Sequence, residues 1–228
     1  MPTLAVAVFT VVSIYIYAFN VDTQVDAAER EIIETYISKS DFVDFNKISD
    51  RERELLLLKI MDAAHKIAGP SRNSPPHGVK RGIASSLKYS GGSCYDRSYY
   101  IEQILTYLNI PSRHVFLALV ESNSIFKRGL LSHALTEVNI NGNWFLIESL
   151  YSHVYKNKSG ELVSAMYIKE NFGDVNFPDF NHVDAELYSY IARGDFKVYY
   201  GIYSRHGGFF PPYHIPFNIN YKQILFNF

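Results

Sequence analysis

Three residues of this chain, Cys94, His133 and Glu148 in that order, are of the types that together attack an amide carbonyl through sulfur. A thiol reacts as its thiolate, and an unperturbed cysteine, with a pKa of about 8.5, is mostly protonated at neutral pH. Two features lower that value: the partial positive charge at a helix start, and a neighbouring imidazole that becomes imidazolium. Gly91-Gly92-Ser93 leads straight into Cys94, after which Ile101, Ile104, Leu105 and Leu108 recur at helical spacing. This pattern predicts an amphipathic helix over 94–108 with the thiol in its first turn. Asn109 suits the left-handed residue that ends such a helix, and Pro111 bars its continuation.

A hairpin places the other two residues. Asn141-Gly142 is the strongest two-residue turn signal, because both turn positions need positive φ and these residues tolerate it. With that turn Ile140 faces Asn143, so Leu135 stands opposite Glu148, and His133 is its diagonal neighbour on the same sheet face. Diagonal neighbours lie about 7–8 Å apart, a gap that a glutamate spans to reach an imidazole nitrogen. His133 is then the expected base for the thiol. Glu148 is expected to accept the other ring N–H and fix the tautomer. The Cys94 backbone N–H is expected in an oxyanion hole, with Tyr89 as the second donor.

The surrounding elements are simpler to read. Apolar periodicity predicts helices over 22–38 and 49–68, the second capped by Ser49 or Asp50 and stopped by Gly69-Pro70. Residues 71–78 read as a loop, 115–120 as a buried strand, and 133–140 and 143–149 as the arms of the hairpin. Residues 205–228 are charge-poor and rich in aromatics and proline, which suits covering a sheet edge or walling a cleft. The resulting division is an apolar segment 1–20, a helical region 21–76, a catalytic core 77–150 and an extension 151–228 that completes the domain.

At 228 residues, 47% apolar and 20% charged, the chain suits one core of moderate size. With 22 basic and 23 acidic side chains and no basic stripe, nucleic acid is not an expected partner. A single cysteine allows no disulfide within the chain. The other histidines show neither H-x-x-x-H nor H-E-x-x-H spacing, and no calcium-loop pattern occurs, so no metal or cofactor is expected. Residues 4–19 (LAVAVFTVVSIYIYAF) are almost continuously apolar, at the short end of the roughly 17–25 residues that span a bilayer. Tyr15 and Tyr17 suit a membrane interface, no Lys or Arg precedes the run, and Ala18-Phe19-Asn20 is a poor cleavage sequence. The reading is a membrane-anchored or exported chain of open orientation. A soluble cytoplasmic protein with a buried N-terminal helix is the alternative.

The stretch GGSCYDRSYYIEQILTYLNIPSRHVFLALV, followed by SHALTEVNINGNWFLIESLY, resembles the core of the transglutaminase-like superfamily. The matching pieces are Gly92-Ser93-Cys94, the Asn109-Ile110-Pro111-Ser112-Arg113 turn, His133-Ala134 with Glu137-Val138, and Trp144 four residues before Glu148. The match runs over 89–150. It departs at Glu148-Ser149, where the family has Asp-Pro, and at Asn109, where it has Gly. The resemblance implies an α+β, papain-like fold in which the nucleophile helix packs on an antiparallel sheet. It also implies acyl transfer at an amide bond of a protein or peptide. Members include peptidases, amidases, cross-linking enzymes and inactive relatives, so water or an amine as acceptor stays open. A catalytically inactive binding or assembly module is the alternative.

Overall fold

The computed structural model describes residues 2–19, 25–38, 41, 43–69, 82–89, 91–119, 132–148, 150–178, 185–200 and 221, without the side chains of 2–4, 17–19, 85, 89, 119 and 185–187. The expected loop at 71–78 lies outside the described residues, as does the segment 205–228 apart from Tyr221.

The first half of the chain is helical. Helix α1 (Pro2–Phe19) displays Val6, Phe9, Val11, Ile14 and Ile16 to solvent at more than 60% exposure, and among the described residues none of the buried core comes from it. Among the described residues, no helix is long and apolar enough to cross a membrane. Helix α2 (Ala27–Tyr36) starts at a capping box in which the Asp26 carboxylate takes the Glu29 N–H at 2.9 Å. Helix α3 (Asp50–Ala68) starts the same way, with Ser49 as the cap and Glu52 as its partner, and Gly69 closes it at φ +66°. A short helix α4 (Ile83–Tyr89), which periodicity does not signal, precedes α5 (Cys94–Tyr107).

Helix α5 differs from its expected amphipathic form. Every residue from Tyr95 to Leu105 is buried, polar ones included. The reason is position: α5 packs between α3 and α4 on one side and the sheet on the other. Three of its buried polar side chains find partners there. Ser98 Oγ donates to the Ala134 carbonyl at 2.9 Å, Glu102 meets His114 Nδ1 at 2.7 Å, and Gln103 Oε1 accepts the Ile83 N–H at 3.2 Å. Buried polar groups persist only when paired, and pairing makes them location-specific.

The sheet is antiparallel, in the order β4-β3-β2-β1-β7, from β1 (Ser112–Leu119), β2 (Ser132–Ile140), β3 (Asn143–Glu148), β4 (His153–Val154) and β7 (Phe196–Tyr200). A second, two-stranded ladder joins β5 (Lys156–Asn157) to β6 (Val175–Asn176). β1 begins three residues before the expected strand, and Val120 lies outside the described residues. The fold is therefore mixed α+β, with helices on an antiparallel sheet.

The β2–β3 register follows from the turn. Asn141 and Gly142 take φ of +51° and +87°, and Ile140↔Asn143 through Thr136↔Ile147 are the pairs that a two-residue loop dictates. Asn109 likewise takes φ +58° after α5. Because successive strand residues alternate faces, β2 and β3 serve two cores. Val138, Ile140 and Ile147 join Leu57, Ile60, Ile101 and Ile104 on the face toward α3 and α5. Val115, Leu117, Leu135 and Leu146 face the other way, onto α6 (Ala165–Glu170), α7 (Ala185–Ala192) and the inner side of β7. The region after 150 thus supplies both edge strands, β4 and β7, and the cover for one face.

Candidate active site

The site lies where the start of α5 meets the start of β2. Ser93 is the N-cap of α5, so Cys94 is its first residue and its N–H has no acceptor within the helix. Asp96 accepts the Ser93 N–H at 2.7 Å and the Ser93 hydroxyl at 2.9 Å, which fixes the turn that presents the thiol. Gly92 is required by close approach: a Cβ there would stand 2.9 Å from Asp96 Cβ and 3.4 Å from Ala68 Cβ. One turn on, the Ser98 hydroxyl holds the Ala134 carbonyl, and Thr136 Oγ1 donates to the Ser98 carbonyl at 3.2 Å. These bonds pin the nucleophile helix to the strand that carries His133.

His133 and Glu148 stand on the face of β2 and β3 that Leu135 and Leu146 share, and they meet: Nε2 lies 2.5 Å from Glu148 Oε2. Both are buried, His133 at 2% exposure and Glu148 at 0%. The second carboxylate oxygen accepts the Leu150 N–H at 2.8 Å. The thiol of Cys94, half-buried, lies close enough to the same imidazole for His133 to lower its pKa. With Nε2 engaged by Glu148, the ring nitrogen left for the sulfur is Nδ1. The structure therefore brings Cys94, His133 and Glu148 together.

The electrostatics favour a charged pair. Burial alone would lower the His133 pKa, but the Glu148 charge and the hydrogen bonds to Cys94 and Glu148 outweigh it and push it up to about 10. Burial likewise opposes the Cys94 thiolate. The hydrogen bond and charge of His133, with a contribution from the Ala134 main chain, nevertheless hold the thiol below its ordinary value. Both shifts favour the proton on nitrogen over sulfur.

One residue of this cluster gives no sign in the sequence. The Tyr188 hydroxyl, on α7, lies 2.9 Å from His133 Nε2 and donates to Glu148 Oε2 at 3.0 Å. Its ring meets the imidazole edge-on at a centroid distance of 5.2 Å. In the sequence Tyr188 is one aromatic among eighteen tyrosines, at helical spacing from Ile191, and reads as core.

Tyr89, the expected second oxyanion donor, ends α4, and its side chain lies outside the described part. His153 pairs with Glu148 across β3 and β4, yet its Nε2 bonds the Asn176 carbonyl at 3.3 Å. Arg113 and Glu137, from the same sequence pattern as the triad, form a separate buried pair at 2.6 Å. Its guanidinium lies between the rings of Trp144 at 4.2 Å and Tyr200 at 4.1 Å, and Glu137 Oε1 accepts the Ala165 N–H that opens α6. That pair ties the sheet to its C-terminal cover. Among the described residues, no group of three or more His, Cys, Asp and Glu is placed to hold a metal ion.

No family model matches the chain, and neither a curated protein nor a solved structure shows significant similarity to it.

Proposed function

We propose that this protein is a thiol enzyme that transfers an acyl group at an amide bond of a protein or peptide, on a papain-like, transglutaminase-like core. The observation that carries the reading is the His133 ring, held at Nε2 by a buried Glu148 and placed beside the thiol at the first residue of a helix.

In this mechanism the Cys94 proton passes to His133 Nδ1, and the sulfur attacks the carbonyl carbon. The negative charge that develops on the carbonyl oxygen meets the Cys94 N–H, which has no acceptor within the helix, and the positive end of α5. The imidazolium returns its proton to the leaving amine as the C–N bond breaks, leaving a thioester on Cys94. Water or a second amine, deprotonated by His133, then releases the acyl group. Water gives a peptidase or amidase and an amine gives a transglutaminase. Hydrolysis is the default because water is always at hand.

The test is to incubate the protein with activated acyl esters and amides and look by mass spectrometry for an acyl group on Cys94. Rapid acylation at neutral pH, absent in Cys94→Ala and strongly slowed in His133→Ala, is the expected result. A folded protein whose thiol acylates no faster than a free cysteine would leave the inactive binding or assembly module as the better account.

We further propose that α1 associates with a lipid bilayer and that the chain is anchored or exported. The support is its apolar side chains, exposed on all sides, with no charged residue before Asp22. A chain beginning at Val21 should keep the fold and leave the membrane fraction, whereas the full chain should sediment with vesicles. Aggregation of the shortened chain would contradict this.

A further inference from the structure

We propose that Tyr188 is a positioning residue of this site: its hydroxyl holds the Glu148 carboxylate and the His133 ring in the arrangement that leaves Nδ1 to take the Cys94 proton. The proposal rests on the acyl-transfer reading of the same cluster.

A glutamate carboxylate hangs on three side-chain torsions, so a single contact does not fix it. Here each oxygen has its own anchor. Oε1 takes the Leu150 N–H at 2.8 Å, and Oε2 takes the Tyr188 hydroxyl at 3.0 Å beside the imidazole at 2.5 Å. Burial, with the neighbouring Glu148 charge, holds the Tyr188 hydroxyl protonated far above the ordinary phenol range, so it stays a donor to Glu148 at every working pH.

The same oxygen lies 2.9 Å from His133 Nε2, where a lone pair can share the Nε2–H with Glu148. Two acceptors at Nε2 require the proton there. In the neutral ring that leaves Nδ1 as the base. On transfer the S–H bond breaks, its electron pair stays on sulfur, and the proton forms the Nδ1–H bond of the imidazolium. Tyr188 and Glu148 keep their own protonation states throughout. The edge-on ring contact, with Tyr151 in turn edge-on to Tyr188 at 5.2 Å, limits tilting of the imidazole.

This makes α7, and with it the region after 150, part of the chemistry as well as a cover for the sheet. It also distinguishes Tyr188 from the other tyrosines of that core. Tyr155, fully buried beside it, has a hydroxyl without a hydrogen-bond partner among the described residues, whereas Tyr188 bonds two members of the site.

The experiment is the pH dependence of Cys94 alkylation by iodoacetamide in the full chain, with Tyr188→Phe, Glu148→Gln and the double variant. Phe keeps the ring and removes only the hydroxyl. Tyr188→Phe should raise the pH at which the thiolate forms by about one unit, the size of one lost hydrogen bond to a charged group. Glu148→Gln should raise it further, and adding Tyr188→Phe to it should change little, because the hydroxyl then has no charge to hold. An unchanged profile in Tyr188→Phe, or an equal shift in both backgrounds, overturns the positioning role. A wild-type thiol with an ordinary profile overturns the acyl-transfer reading instead, so the two failures are distinct. Imidazole nitrogen NMR of Cys94→Ser, with Tyr188 in place, gives a second test that no folding defect at Tyr188 affects. The neutral His133 ring should carry its proton on Nε2, and a proton on Nδ1 would overturn the proposal.

Discussion

Arg113–Glu137 and His133–Glu148 are both cation–carboxylate pairs on one face of the same sheet, four residues apart along β2. Their side chains are withdrawn from water to nearly the same degree, 6% and 0% exposed in the first and 3% and 0% in the second. The first pair is closed. Its guanidinium is sandwiched between two aromatic rings, and its carboxylate caps the start of α6. Arginine does not lose its proton in proteins, so this pair holds a fixed charge and a fixed geometry. The second pair has a free end. Its cation is an imidazole that can give up a proton, and the thiol of Cys94 stands beside it. Burial and pairing alone therefore do not mark a reactive site; a titratable cation with one nitrogen left for a nucleophile does.

The largest expected effect breaks the second pair. Cys94→Ala should abolish turnover of any amide substrate while leaving the melting curve close to that of the wild type. His133→Ala should be nearly as severe, and the two losses should not add, because the residues act as a unit. Glu148→Gln should cost less, since the acid orients the ring without touching the substrate. Turnover by Cys94→Ala at the wild-type rate would end the enzyme reading.

Breaking the first pair should do the opposite. Glu137→Ala leaves a buried guanidinium uncompensated and should lower the unfolding free energy by about 3–5 kcal/mol, measured by urea denaturation. In the fraction that remains folded, Cys94 should acylate at close to the wild-type rate. If Glu137→Ala slowed acylation as strongly as His133→Ala while costing no stability, the division of labour between the pairs would be wrong.

A smaller effect separates the pairs through pH. Unperturbed imidazole and thiol titrate at 6.5 and 9.0. His133, raised to about 10 in the folded chain, contributes stability that is full below 6.5 and is lost as pH rises through about 10. Cys94, lowered in the folded chain, contributes stability that is full above 9.0 and is lost as pH falls through its folded value. While both charges persist, the slopes cancel between 6.5 and 9.0, because folded and unfolded pairs each hold one proton. The difference in unfolding free energy between the wild type and the Cys94→Ala, His133→Ala double variant should therefore be flat across that window and fall on both sides. The corresponding difference between the wild type and Glu137→Ala, which removes a pair whose arginine does not titrate, should show no such decline from the pair toward pH 10.

What the sequence made legible was local. Asn141-Gly142 dictates its own backbone conformation, and the register that puts His133 beside Glu148 follows from counting. Ser49 and Asn109 could be read for the same reason, since a cap and a left-handed turn depend on residues a few positions apart. What escaped was tertiary. Ser98, Glu102 and Gln103 read as a solvated helix face, yet each finds a partner in the sheet or in the turn into α4, and α5 is buried with them. Tyr188 escaped for the same cause. It reaches the site from a helix forty residues beyond Glu148 in the chain, and no local pattern records that return.

The central claim is that Cys94 and His133 share one proton as thiolate and imidazolium at neutral pH. Because the chain has a single cysteine, the ultraviolet absorbance of its thiolate can be titrated as the difference between the wild type and Cys94→Ala. The account predicts that the thiolate signal is already complete at neutral pH and that in His133→Ala it shifts up into the ordinary thiol range. A wild-type signal that rises only around pH 8.5–9 and is indifferent to His133 would contradict it.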